Sequence, residues 1–343
     1  MKNIGKNDCA VVLGVPLFRG TSAEALDAIF EMVARGQNGN ILVTMNVDFA
    51  VNAHHAFSFV PRNQPLLDLM RRSPLVTADG MPILLLAKLI GTPLAERVTG
   101  ADMVPDIAGR AASCGARLYI LGGNADNNAR AMEILSQRYP GVVFAGCETP
   151  FVKLDSTPEC ESENLALCDR INAARPDILF VCLGNPKQEL WSAKYACKLN
   201  VPVIIGVGGT FNFISGNVRR APMWMQKSGL EWIYRIIQEP RRLLKRYMAG
   251  LVKYGCTAAT CIFAAWFGRL FGRPSKTSWK ERDLREETEA LVLNCSGLSR
   301  LDNQARLEIV ARRVEADLAG KPLKFEHLSR FAAFQLAAHR LNR

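Results

Sequence analysis

Five small polar clusters interrupt the first 220 residues, and each follows an apolar run. They are Thr44 with Asn46, Asp79, Gly122-Gly123-Asn124, Asn185 with Gln188, and Gly208-Gly209 with Asn212. Asp79 follows Leu75-Val76-Thr77-Ala78 directly and precedes Gly80, so its carboxylate belongs at a sheet edge in a partly dry setting. There it could take a proton from an attacking hydroxyl. It could equally cap the helix that begins at Met81, and position alone leans towards capping. Asp48 is the rival carboxylate, but negative charge in the first turn of a helix accounts for it. Thr44 and Asn46 can hydrogen-bond hydroxyl or amide groups of a ligand or cap the helix that follows. Gln188 lies among the free amides of a helix start, and the glycine-bearing turns can present N–H groups to a phosphorylated ligand.

Other chemistries are poorly served. Gly122-Gly123-Asn124 lacks the full G-x-G-x-x-G spacing of a dinucleotide site, and no P-loop motif occurs. No D-x-D is present, which argues against a metal-bridged sugar-nucleotide site, and His54, His55, His327 and His339 show no metal-ligand spacing. The adjacent His54 and His55 read as a helix surface. No metal or cofactor is expected. The ten cysteines form no C-x-x-C pair and lie in apolar segments, as free thiols would.

The elements that must position these clusters alternate strand and helix. Strands are expected over 10–15, 40–44, 74–78, 117–121, 142–146, 178–183 and 201–207. Helices are expected over 22–35 (capped at Thr21 or Ser22), 48–56, 64–72, 81–90, 102–113, 125–138 and 162–175, with another starting near Lys187. Such βα repetition predicts an α/β fold, a mostly parallel Rossmann-like sheet with helices on both faces, and ligands at its carboxyl edge. Three regions are expected: 1–218 as the α/β catalytic domain, 219–273 as a basic amphipathic helical appendage, and 274–343 as a linker and small accessory βα tail. Residues 1–8 are polar and the next apolar run is short and strand-like, so no secretory signal is expected.

The net charge of +11 is uneven. Residues 219–273 carry eleven Lys/Arg against Glu231 and Glu239, while the first 218 residues sum to −1. Concentrated beside one apolar stretch, this charge suits anionic phospholipid or a lipid pyrophosphate better than nucleic acid, which is not the expected partner. Trp232, Ile233, Ile236 and Ile237, then Leu243, Leu244, Tyr247, Met248 and Leu251, recur at helical spacing, flanked by Arg235, Arg241, Arg242, Lys245, Arg246 and Lys253. Pro240 should divide them into two helices. The pattern is that of a helix in a bilayer interface or of one packed on the domain. Residues 254–268 are fifteen uncharged residues, short of the ~20 that span a bilayer, and read as interfacial or re-entrant.

Three longer motifs carry a family resemblance. They are Gly184-Asn185-Pro186-Lys187-Gln188-Glu189, then Gly206-Val207-Gly208-Gly209-Thr210-Phe211-Asn212-Phe213, then the stretch from Arg220-Ala221-Pro222-Met223-Trp224-Met225-Gln226 to Arg242. Over residues 8–250 the chain resembles the WecG/TagA/CpsF family of bacterial glycosyltransferases (glycosyltransferase family 26), with Asn212 where Asp is usual. The resemblance implies an inverting, metal-independent transfer of a hexose, N-acetylmannosamine or its uronic acid from a UDP-sugar to a sugar on a polyprenyl pyrophosphate, at the inner face of the bacterial membrane. It makes Asp79, in the family's D-G motif, the expected base. Arg97, in an R-V-x-G loop, becomes a pyrophosphate clamp instead of a solvated surface charge. Thr44 and Asn46 match a T-x-N motif with Met45 in the middle position. Substrate contacts are then expected from Thr44, Asn46, Gly122, Gly123, Asn185, Gln188, Gly208, Gly209, Asn212, Arg235, Arg241 and Arg242. A non-catalytic membrane-bound scaffold that keeps the fold is the alternative. The sequence leaves homo-oligomerisation open.

Overall fold

The computed structural model of the protein describes residues 8–271, 284–286, 290–295, 298 and 300–342. The chain opens with β1 (Cys9–Val12) and β2 (Val15–Phe18), an antiparallel hairpin in which Cys9 faces Phe18. This corrects the single strand expected over 10–15. Leu13 and Gly14 both take left-handed backbone (φ 52° and 74°), the geometry of a two-residue hairpin turn, and reverse the chain there. A Cβ at Gly14 would lie 2.5 Å from the Arg340 carbonyl oxygen, so the close approach of the C-terminal segment also requires glycine.

The βα alternation follows: α1 (Ser22–Arg35), β3 (Asn40–Met45), α2 (Val47–Ala53), α3 (Gln64–Arg72), β4 (Leu75–Ala78), α4 (Met81–Leu89), α5 (Gly100–Cys114), β5 (Arg117–Gly122), α6 (Ala125–Arg138), β6 (Val143–Glu148), α7 (Pro158–Ala174), β7 (Ile178–Cys182), α8 (Lys187–Tyr195) and β8 (Val203–Gly206). Thr21 caps α1 in a capping box with Glu24. The six strands β3–β8 form one all-parallel sheet in the order β4-β3-β8-β7-β5-β6. β3, β4, β7 and β8 are apolar and β-branched because both faces are covered. Val203, Ile204, Ile205 and Ile178 through Val181 are fully buried. One core packs α1, α5 and α6 on one face; another packs α7 and α8 on the other.

After β8 come α9 (Thr210–Ile214), α10 (Met223–Lys227), α11 (Glu231–Gln238) and α12 (Pro240–Phe271), with the break at Pro240 as expected. α12 is one continuous helix of 32 residues, longer than the fifteen-residue uncharged run suggests. Tyr254, Ala258 and Cys261, one face of it, share a core with Ile83, Leu86 and Ala87 of α4. Tyr254 donates its hydroxyl to the Pro82 carbonyl (2.8 Å), and Trp266 donates to the Leu89 carbonyl (2.9 Å). The stretch Leu243–Phe271 is long and apolar enough to cross a membrane, but a packed core helix passes the same test. Leu244, Met248, Leu251 and Val252 of this helix remain exposed.

The C-terminal unit holds β9 (Leu284–Glu286), β10 (Leu291–Asn294), α13 (Asn303–Leu318), β11 (Leu323–Glu326) and α14 (Arg330–Ala338), with sheet order β11-β10-β9. Its core includes Val11 of the hairpin. Arg71 of α3 donates to the carbonyls of Gly14 (3.1 Å) and Arg340 (2.8 Å), and Arg306 donates to that of Val11 (3.3 Å). Arg340 donates to the carbonyls of Ser58 (2.6 Å) and His55 (3.2 Å). His54 is therefore buried, which corrects the helix-surface expectation. Burial, with Arg340 and Arg71 adding to it, pushes its pKa down to about 3, so the ring is neutral.

Candidate active site

Strand order decides which of the polar clusters meet. The carboxyl ends of β4, β3, β8 and β7 are adjacent, and they floor a cleft of about 380 Å³. Thr44, Asn46, Asp79, Arg97, Asn185, Gln188, Gly208, Gly209, Asn212 and Arg235 all line it. α11 and α12 form the opposite wall with Glu231, Trp232, Arg235, Leu243, Arg246 and Tyr247. Gly122 and Gly123 end β5, one strand beyond β7, and do not line the cleft. Arg241 is exposed at the start of α12 and also stands outside it. The side chain of Arg242 lies outside the described residues.

Asp79 does not cap α4. The N-cap is Gly80, without a side-chain cap, and among the described residues no hydrogen bond reaches the Asp79 carboxylate. Its main-chain N–H is held by the Met45 carbonyl (2.8 Å), which fixes the residue across the β3–β4 pair. Burial pushes its pKa up to about 7; Arg97 pulls it down, while Glu231 and Asp102 push it further up. The group is thus a carboxylate poised to exchange a proton near neutral pH. Asn46 does cap α2: its Oδ1 accepts from the N–H groups of Asp48 (3.0 Å) and Phe49 (3.4 Å). Thr44 donates to the Gly206 carbonyl at 3.4 Å and so ties β3 to β8.

Two cations act on Asp79, Arg97 and Arg220, and each is oriented by a carboxylate that the sequence left unassigned. Arg97 donates to Glu231 Oε2 (2.7 Å) and to Gln226 Oε1 (3.3 Å). Arg220 grips Asp102 with both terminal nitrogens, Nη2 lying 2.8 Å from Oδ2. Burial raises the Asp102 carboxyl, but the hydrogen bonds from Arg220 and Thr99 outweigh it and hold the pKa below the usual range. Arg235 stands with its guanidinium carbon 5.1 Å from the Phe213 ring centroid. The Nε groups of Arg220 and Arg235 are buried without a hydrogen-bond partner, and the Arg220 Nε is 3.9 Å from Glu231. Arg220 and Arg235 line the cleft, where guanidinium N–H groups can meet an incoming anion. Arg246 of α12 reaches Asp48 of α2 (Nη2 to Oδ2, 2.5 Å), so the rival carboxylate is occupied by an ion pair at the rim.

Gln188 holds structure together. Its Oε1 accepts from the main-chain N–H groups of Gly184 (3.1 Å) and Gly208 (3.2 Å), linking the turns after β7 and β8. Asn212, at the usual Asp position, accepts from Asn127 of α6 (2.8 Å). Arg220 and Glu231 belong to the third motif quoted above, and that membership was the sequence signal for them.

A model of the Glycosyl transferase WecG/TagA/CpsF family matches residues 10–268. Two similar proteins are named N-acetylglucosaminyldiphosphoundecaprenol N-acetyl-beta-D-mannosaminyltransferase. That of Bacillus spizizenii (strain ATCC 23059 / NRRL B-14472 / W23) is 31% identical over 207 residues, covering 60% of this chain and 76% of the relative. That of Staphylococcus aureus (strain MRSA252) is 27% identical over 233 residues, covering 68% and 85%. With three quarters of its length under the family model, the chain belongs to the WecG/TagA/CpsF family of glycosyl transferases.

Proposed function

We propose that the protein moves N-acetylmannosamine, or a close N-acetylhexosamine, from UDP to a sugar carried on a polyprenyl diphosphate, with inversion. In this reaction an acceptor hydroxyl attacks the anomeric carbon opposite the diphosphate. The new C–O bond forms as the bond to the β-phosphate oxygen breaks, Asp79 takes the hydroxyl proton, and UDP leaves. Charge developing on UDP is met by Arg97, Arg220 and Arg235 and by the amides of the Gly208 turn. The observation that carries this reading is one cleft lined by an unbonded carboxylate, poised near neutrality, and the guanidinium groups of Arg97, Arg220 and Arg235. The relatives' names support the choice of sugars.

We place the enzyme peripherally on the inner membrane face, with exposed Leu244, Met248 and Val252 interleaved with exposed Lys245 and Lys253 at the cleft's rim. The direct test is UDP release from a panel of UDP-sugars with purified polyprenyl-diphosphate-linked N-acetylglucosamine. Release with UDP-N-acetylmannosamine, dependent on the acceptor, is expected. An inert protein with every donor would favour the scaffold instead.

A further inference from the structure

Behind the cleft floor lies a buried carboxyl group that the transfer chemistry does not use. Glu189, in the first turn of α8, is 3% exposed and does not line the cleft. Hydrogen bonds converge on it from two sides. Gln188 Nε2 donates to Oε1 at 2.6 Å, and Asn185 Nδ2 donates to Oε2 at 3.0 Å. Each donor is the end of a directed chain. On one side, the N–H groups of Gly184 and Gly208 donate to Gln188 Oε1, so that amide can only turn its nitrogen to Glu189. On the other, Asn52 Nδ2 of α2 donates to Asn185 Oδ1 at 2.6 Å, which turns the Asn185 nitrogen the same way.

We propose that Glu189 is a positioning residue for the transfer reaction: its two carboxylate oxygens terminate both chains, set the amide directions of Gln188 and Asn185, and so lock the Gly184 and Gly208 turns that floor the cleft. Only an ionised carboxylate offers acceptors on both oxygens in this place. A glutamine, or a protonated glutamate, presents one donor to a donor and leaves a buried N–H unsatisfied. No hydrogen-bond partner of Glu189 is charged; burial pushes its pKa up to about 7, opposed by bonds from Gln188, its own backbone and Asn185. The packing is tight: a Cβ on Gly206, the last residue of β8, would stand 2.5 Å from Gln188 Nε2 and 2.7 Å from Glu189 Oε1. The two turns therefore have little room to relax when the chain of bonds is broken.

The inference rests on the cleft being the transfer site, and a double-mutant cycle tests it apart from that reading. Glu189→Gln should raise the donor KM about tenfold or more, with kcat changed less, measured below the melting transition of each variant. Asn185→Asp alone sets two carboxylates against each other and should be at least as damaging. Combined, Asp at 185 accepts from Asn52 and from the amide nitrogen introduced at 189, while the new amide oxygen accepts from Gln188. Every donor again has an acceptor and the charge is unchanged. The double variant should recover about tenfold in kcat/KM over either single variant. Additive losses, or a Glu189→Gln variant with the wild-type donor KM, would overturn the positioning role while leaving the transfer reading intact. A wild-type protein inert with every donor would instead sink the transfer reading, and Glu189 would then have no reaction to position.

Discussion

Two regions of this molecule are rich in arginine, and they use it in opposite ways. At the cleft, Arg97, Arg220 and Arg246 are aimed by carboxylates (Glu231, Asp102 and Asp48). Where the C-terminal unit docks, Arg71, Arg306, Arg313 and Arg340 are buried and donate to main-chain carbonyls of Gly14, Val11, Leu341 and Ser58. A carboxylate can surrender its arginine to a competing diphosphate; a peptide carbonyl in a packed interface has no such competitor. Burial pushes Arg71 and Arg306 down to about 10, so they stay charged at neutral pH and serve as rivets. Positive charge alone thus says little about function, and the partner of each guanidinium decides its role.

That contrast can be broken at several points. The largest effect is expected at the group the cleft cations surround: Asp79→Asn should lower kcat about 10³-fold, within the range of general-base removal, with the donor KM changed only a few-fold. Next, Arg235→Gln should cost about 10²-fold in kcat/KM, as loss of one charge-stabilising donor does, and should leave the thermal midpoint nearly unmoved. Among the described residues no carboxylate lies within ion-pair distance of Arg235, so this variant strands no partner. Arg306→Met should show the reverse pattern. It leaves the buried Val11 carbonyl without its donor, so stability in denaturant should fall by about 1–3 kcal/mol while kcat of the folded enzyme stays within about twofold. The smallest effect is expected at the rim, where Asp48→Asn removes a half-exposed ion pair with Arg246 and should change stability by less than about 1 kcal/mol. If Arg306→Met abolished turnover without loosening the fold, the division between the two regions would be wrong.

The sheet was legible because parallel strands buried on both faces are uninterrupted apolar runs, and β3, β4, β5, β7 and β8 stand within about two residues of expectation. The hairpin was not, since Cys9 to Phe18 is nearly one apolar run and its turn depends on Leu13 taking a conformation its residue type seldom adopts. At the site, strand ends announced the floor residues, but periodicity carries no strand order. That is why Gly122 and Gly123 looked equivalent to Gly208 and Gly209 until β5 proved to lie beyond β7. The ion pairs joining Arg97 to Glu231 and Arg220 to Asp102 link residues more than a hundred positions apart, and no local pattern marks such pairs. The docking of the C-terminal unit was illegible for the same reason, being written in side-chain bonds to carbonyls.

The central claim, that Asp79 is the base, is tested most directly by the pH dependence of kcat/KM. A base must be deprotonated to work, so a pKa raised to about 7 places the acid limb there, with activity falling about tenfold per pH unit below it. Glu189 has a similar pKa, so the assignment must come from variants and not from the midpoint. We expect the continuing limb in wild type and in Glu189→Gln, and for the residual activity of Asp79→Asn only a bounded step of about tenfold, from protonation of Glu189. A full-rate Asp79→Asn enzyme with the same inflection near 7 would contradict it.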